Sequence, residues 1–275
     1  MSDGDSTLSQ AADAVEDASN HKVLDVLARA GFAVMALLHV IVGAIAIAIG
    51  FGHQGDAEPT GAIARLADNP FGTVVMWGCV VACLALALWQ ASDATLRARS
   101  LPRKERLAKL VSSGFLAIAY GSVGLSFAGF AVGQPSDSGD NTRDFSSGVM
   151  AHPAGPWVLV ALGLTILGIG IYFIVKGLRR GFKEELFHFD GTRRGRLIDS
   201  LGVTGHVAKG IALVLTGLLF VIAAARHRPD ESTGLDGSLK ALQDHPFGPT
   251  LLVAIGAGFI AYGIFAMIRA RFGRM

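Results

Sequence analysis

Residues Gly31 to Gly50, GFAVMALLHVIVGAIAIAIG, hold twenty positions with no formal charge and one strongly polar side chain, His39. At ~1.5 Å of rise per residue such a helix is ~30 Å long, the thickness of a bilayer's hydrocarbon core. The stretch predicts a transmembrane helix, and it recurs. Gly114 opens GFLAIAYGSVGLSFAGFAVG and Gly205 opens GHVAKGIALVLTGLLFVIAA, so one helix type appears three times. A second apolar stretch follows each copy and starts at Pro70, Pro153 or Pro246, a residue tolerated in a helix's first turn. Gly31 and Gly114 are 83 residues apart, as are Pro70 and Pro153; the next intervals are 91 and 93. The expected fold is therefore an all-α membrane protein of six transmembrane helices, built as two-helix repeats over residues 27–92, 110–177 and 201–272. Each pair returns to the side it left, so the repeats run parallel and a pseudo-threefold axis along the membrane normal is expected.

Composition agrees with this reading. Over 275 residues the hydrophobic share is 51% and the mean hydropathy +0.48, too apolar for a soluble domain. Basic and acidic residues, 24 and 22, nearly cancel, so information lies in where charges sit, and a nucleic-acid partner is not expected. Cys79 and Cys83 are one helical turn apart inside a predicted membrane helix, a spacing that suits packing better than a disulfide. Residues 1–26 form an acidic N-terminal segment expected to be a mobile tail, within which Val23, Leu24 and Val26 begin a lead-in to the first helix. Its first twenty positions carry five acids and no Lys or Arg, unlike the basic start of a cleaved signal peptide, so none is expected.

The connecting segments alternate in charge. The loop 51–68 is net −2, whereas the linker 92–109 is net +4 and the linker 176–200 net +3. Lys and Arg number six, seven and three in the two linkers and the C-terminal tail, against one, one and three in the loops within repeats. The positive-inside rule then puts both termini in the cytoplasm. Ahead of Pro70 stand Ile63 and Leu66, and ahead of Pro246 stand Leu239 and Leu242, each pair on one face of a short helix; repeat two keeps only Val149. Short interfacial helices are expected at 60–68 and 235–244, their apolar residues facing the bundle. In the second linker Phe182, Leu186, Phe187 and Phe189 interrupt the charges and predict a helix lying in the headgroup region. Nineteen residues after each proline stands Trp89, Tyr172 or Phe265, at the depth of an aromatic belt.

The glycines at 31, 114 and 205, the second glycine twelve residues on at Gly43 and Gly217, and the Pro-x-Gly start of each even helix are similar to the bacterial membrane family called domain of unknown function 1206. Repeat two departs from the pattern with Ser126 in place of the second glycine and Ala154-Gly155-Pro156 after its proline. The resemblance implies three tandem two-helix units in a bacterial cytoplasmic membrane. It implies no activity.

Among residues able to carry chemistry, His39 ranks first, because an ionisable group in mid-membrane is costly and usually faces a bundle's interior. Its positional equivalents are Ser122 and Leu213. Ser122 and Lys209 complete the possible intramembrane polar site, although Lys209 is expected to snorkel towards the nearer surface. Histidines 53, 152, 227 and 245 fall in the outer loops without the spacing of a metal motif, and His152 and His245 precede helix-starting prolines. No phosphate loop, HExxH, CxxC or GxSxG occurs, so neither catalysis, a cofactor nor a metal is expected. The expected function is a noncatalytic scaffold or accessory subunit that binds lipid, another membrane protein or a second copy of itself. A small channel or transporter for an ion or small solute is the alternative.

Overall fold

The computed structural model describes residues 22–68, 71–95, 102–135, 137–185, 193–228, 234–243 and 245–272. Long helices α1 (Lys22–Gly50), α3 (Gly72–Thr95), α4 (Arg103–Ala131), α6 (Gly155–Leu178), α7 (Arg193–Arg226) and α9 (Gly248–Phe272) form three successive pairs, with a short helix between the members of each: α2 (Pro59–Ala67), α5 (Ser138–Met150) and α8 (Gly234–Gln243). All six long helices are long and apolar enough to cross a membrane. The described part of the acidic segment, from Lys22, is already helical and belongs to α1; residues 1–21 lie outside the described residues. Among the described residues of the second linker, a short 3-10 turn, Gly181–Glu185, stands between α6 and the start of α7. Its Phe182 is fully buried against His206 and Phe265 instead of lying among headgroups, and Leu186, Phe187 and Phe189 lie outside the described residues.

The short helices share one face of the bundle, the loop face, opposite the linker face. Ile63 and Leu239 are fully buried, with Leu66 and Leu242 packed beside them, as their spacing predicts. α5 instead presses Val149 and Met150 on Leu159 and Phe220. The glycines that end the three Pro-x-Gly starts are packed alike despite the departure at 154–156. A Cβ at Gly72, Gly155 or Gly248 would collide with the carbonyl oxygen of Ala67, Val149 or Leu242, so only glycine lets the short helix abut the long one.

Helix order follows contacts between repeats. The second long helix of one repeat packs along the first of the next: α3 on α4, α6 on α7, and α9 back on α1. Inside a bilayer there is little hydrophobic drive between helices, so close van der Waals approach decides which pairs hold. Two of these seams are glycine to glycine. A Cβ at Gly43 would stand 2.5 Å from the Gly256 carbonyl oxygen, and one at Gly256 2.6 Å from that of Gly43. Gly163 and Gly217 repeat the arrangement at 2.8 and 2.7 Å, and Gly170 and Gly210 repeat it again at 2.7 and 2.6 Å. At the matching positions of the α3–α4 seam stand Val80 and Ser126, and there Gly124 meets only the side chains of Leu84 and Cys83.

Within repeats, α1 packs on α3 and α7 on α9. The second repeat differs: among the described residues α4 and α6 are not closely packed. Gly31 lies so near Ala82 that a Cβ would collide with its carbonyl oxygen, and a Cβ at Gly205 would stand 2.5 Å from Tyr262 Cα. A Cβ at Gly114 would meet nothing within 4 Å. The six long helices therefore form a bundle packed in the order α4, α3, α1, α9, α7, α6, and among the described residues its two end helices, α4 and α6, are not closely packed. The middle of its loop-face half is filled by large side chains, among them Leu38, Ile49, Met76, Phe127 and Leu252.

Candidate functional site

Of the three polar residues singled out from sequence, two come together. His39 projects from α1 and its Nδ1 donates to the Met35 carbonyl at 2.6 Å, satisfying that nitrogen within its own helix. Its ring lies 4.8 Å from the ring of Tyr262 and stacks on Phe259 at 5.9 Å. Lys209, on α7, reaches the same tyrosine from the other side. Its ammonium donates to the Tyr262 hydroxyl at 3.3 Å and stands over the rings of Tyr262 and Phe173, 4.3 and 5.1 Å from their centroids. The expected outward snorkelling is thus not what this side chain does: it turns in upon aromatic faces. Among the described residues no carboxylate pairs with it. Two aromatic quadrupoles and a phenol oxygen supply the stabilisation, with cation–π contacts worth about 2 kcal/mol when desolvated.

Ser122 is not brought to this cluster. It is exposed on α4 and donates to the Ala119 carbonyl at 2.9 Å, as membrane serines commonly do within their own helix. In its place stands a residue that sequence reading passed over, His206. It is buried on α7, donates through Nδ1 to the Gly202 carbonyl at 2.7 Å, and is boxed by Phe182, Phe265 and Tyr262 at 5.1 to 5.3 Å. Phe265 is accordingly a core residue, whereas Tyr172 at the matching position is exposed. His206 and Tyr262 were signalled only weakly, by a histidine directly after Gly205 where the other repeats have Phe32 and Phe115. The cluster gathers a lysine, a phenol and two imidazoles from α1, α7 and α9, groups able to hold or pass a proton.

A second polar cluster closes the loop face. Glu58, at the N-terminus of α2, accepts the Asp236 backbone N–H at 3.0 Å, and Asp236 in turn accepts that of Ala57 at 2.8 Å. Each acid thus caps the other's segment, which joins the first repeat to the third. Lys240 spans Asp236 and Asp56 at 2.6 and 3.0 Å. Burial pushes the Glu58 carboxyl up to about 7, and the nearby charges of Asp236, Asp137 and Asp56 add to that rise. For Lys240 burial opposes the charge, but hydrogen bonds to Asp236 and Asp56 outweigh it and hold the pKa above the ordinary value. The second repeat joins this face by the hydroxyl pair Thr60–Ser138, 3.1 Å. His53, His152, His227 and His245 are exposed nearby. The carbonyls of His152 and His245 each accept the N–H of the glycine three residues on, at 2.8 Å, so each His-Pro pair forms the turn into its helix. Among the described residues no three His, Cys, Asp or Glu side chains are grouped to hold a metal ion.

The three helix pairs correspond to three matches with one family, described as Domain of Unknown Function (DUF1206), at residues 30–97, 111–180 and 204–273. This chain belongs to the DUF1206 family. Its three tandem copies take in every ionisable residue of both polar clusters. The DUF1206 chain is also similar to the uncharacterized protein YxxB of Bacillus subtilis (strain 168), 24% identical over 252 residues that make up 90% of each chain. No solved structure matches it.

Proposed function

We propose that this DUF1206 protein is a noncatalytic scaffold or accessory subunit of the bacterial cytoplasmic membrane, with both termini cytoplasmic. Its three units stand about a pseudo-threefold axis, and the second takes a transmembrane helix of another membrane protein between α4 and α6. One observation carries this reading. Gly31 and Gly205 are each covered by the backbone or side chains of their hairpin partner, but Gly114, the same residue at the same repeat position, faces open space. Glycine is kept where helices approach closely, so an unoccupied copy marks a place where another helix fits. The apolar filling of the loop-face half and the Glu58–Asp236 closure also favour packing over conduction.

A photoreactive side chain at Ile118, exposed one turn beyond Gly114, tests this against a control at Val74, equally exposed on α3. The Ile118 probe should give one discrete protein adduct in cells, and Gly114→Leu should abolish it without lowering folded yield. Lipid adducts alone at both positions would overturn the reading.

The Lys209–Tyr262–His39 cluster favours a second reading, a small channel or transporter, because ionisable groups inside a bundle commonly mark ion or proton paths. It predicts proton or solute flux in liposomes that His39→Leu abolishes while the protein stays folded.

A further inference from the structure

At the linker face, between the end of α6 and the start of α7, lies a cavity of about 450 Å³ lined by Arg180, Arg196, Asp199, Ser200, Val203 and Thr204. That is within the ~300–1,000 Å³ of ordinary ligand clefts. The α7 residues among them recur at helical spacing, so one face of that helix forms a wall. Asp199 is already engaged: Lys183 lies 2.7 Å from its carboxylate and Arg180 4.0 Å. Among the described residues that line the pocket, two arginines stand against one acid, Asp199, which leaves a net charge of +1. Among the described residues no carboxylate pairs with Arg196.

Backbone conformation points to the same residue pair. α6 ends in a left-handed turn in which Arg180 has φ 57°, and its N–H donates to the Gly177 carbonyl at 3.0 Å. Glycine is the usual occupant of that helix-terminal position because a Cβ is strained there. Glycine is available one residue on, at 181, yet the chain sets an arginine in the turn at the pocket's edge. The exposed Leu178 and Leu197, neighbours of the two arginines in sequence, supply apolar surface alongside.

We propose that this pocket binds the phosphate of an anionic ligand, Arg180 and Arg196 contributing paired guanidinium donors and Thr204 a hydroxyl. A planar guanidinium matches two phosphate oxygens at once, which an ammonium does not. The phosphate is that of a membrane lipid headgroup or a free phosphate ion, and the site does not depend on what occupies the second hairpin.

The test uses the full chain in mild detergent, titrated separately with phosphatidylglycerol, phosphatidylcholine and inorganic phosphate, binding being read by native mass spectrometry and by thermal shift. Wild type should prefer phosphatidylglycerol to phosphatidylcholine by at least about tenfold. Arg196→Gln and Arg180→Gly should each weaken phosphatidylglycerol binding by about ten- to a hundredfold, the range of charge-assisted hydrogen bonds. Arg106→Gln, a change of another linker-face arginine, should leave it unchanged. Arg180→Gly should also melt higher than wild type without added ligand, since glycine relaxes the turn, so weaker binding by a more stable protein is not misfolding. Displacement of the lipid by inorganic phosphate would make the free ion a ligand of the same pocket; phosphate without effect would leave the lipid as its ligand. Equal lipid affinity in wild type, Arg196→Gln and Arg180→Gly, or no preference for the anionic lipid, would overturn the proposal.

Discussion

The first and third repeats are bound to each other at three levels of the bundle, whereas the second is held mainly along its outer seams. α1 and α9 meet glycine to glycine, His39 and Lys209 converge on Tyr262, and Glu58 and Asp236 cap each other on the loop face. The second repeat has glycine contact with the third through α6 and α7, side-chain contact with the first through α3 and α4, and a hairpin not closed on itself. Three copies of one unit have thus specialised: two make a welded body, and the third keeps the same opening glycine without its packing. Backbone proximity, more than side-chain chemistry, separates the two cases.

The largest expected effect sharpens this contrast. Gly256→Val puts methyl groups against the Gly43 carbonyl, where backbone must move, and should cost about 3 kcal/mol or more with loss of folded yield. Gly114→Val should leave thermal stability in detergent within about 0.5 kcal/mol, apart from propensity. Equal losses would mean that the second hairpin is closed after all.

A pH dependence should separate the loop-face joints. A carboxyl with a raised folded-state pKa holds its proton better folded than unfolded, so its contribution is complete below pH 4.5 and is lost as pH rises through about 7. The first-to-third joint should weaken by on the order of 3 kcal/mol between pH 4.5 and 8. Melting curves across that range should fall for wild type and stay flatter for Glu58→Gln; a flat wild-type profile would remove Glu58 from the joint's energetics.

His39→Leu should cost less, about 1–2 kcal/mol, because the Met35 carbonyl keeps its helical role and the loss is of ring contacts to Tyr262 and Phe259. Unchanged stability with lost liposome flux would shift preference to the channel reading. Smallest of all, Thr60→Val removes the hydroxyl tie between α2 and α5 and should lower stability by about 1 kcal/mol, equally at pH 5 and pH 8.

Much of this plan was legible before any coordinates. Apolar run lengths fix six helices, and the Pro-x-Gly starts mark where three of them begin. Ile63 with Leu66, and Leu239 with Leu242, place two short helices against the bundle, since amphipathic spacing has a facing direction. Long helices that are apolar nearly all round have none, so nothing local tells α9 to pack on α1. The same limit hides the open hairpin: Gly114 reads like Gly31 and Gly205, and only the failure of α6 to lie against it differs. His39 is conspicuous by residue type. Tyr262 is not, and the distance of Lys209 from the helix start says nothing of the aromatic faces supplied by α6 and α9 that draw it inward.

The seam between α1 and α9 joins the first of the six long helices to the sixth. Gly43 leaves the ribosome 213 residues ahead of Gly256, and at about 5–20 residues per second that is a wait of roughly 10–40 s. Throughout it, the first hairpin sits in the bilayer with its most closely fitting face uncovered. Until α9 is made that face lacks its own partner, so of the three seams between repeats this one closes last.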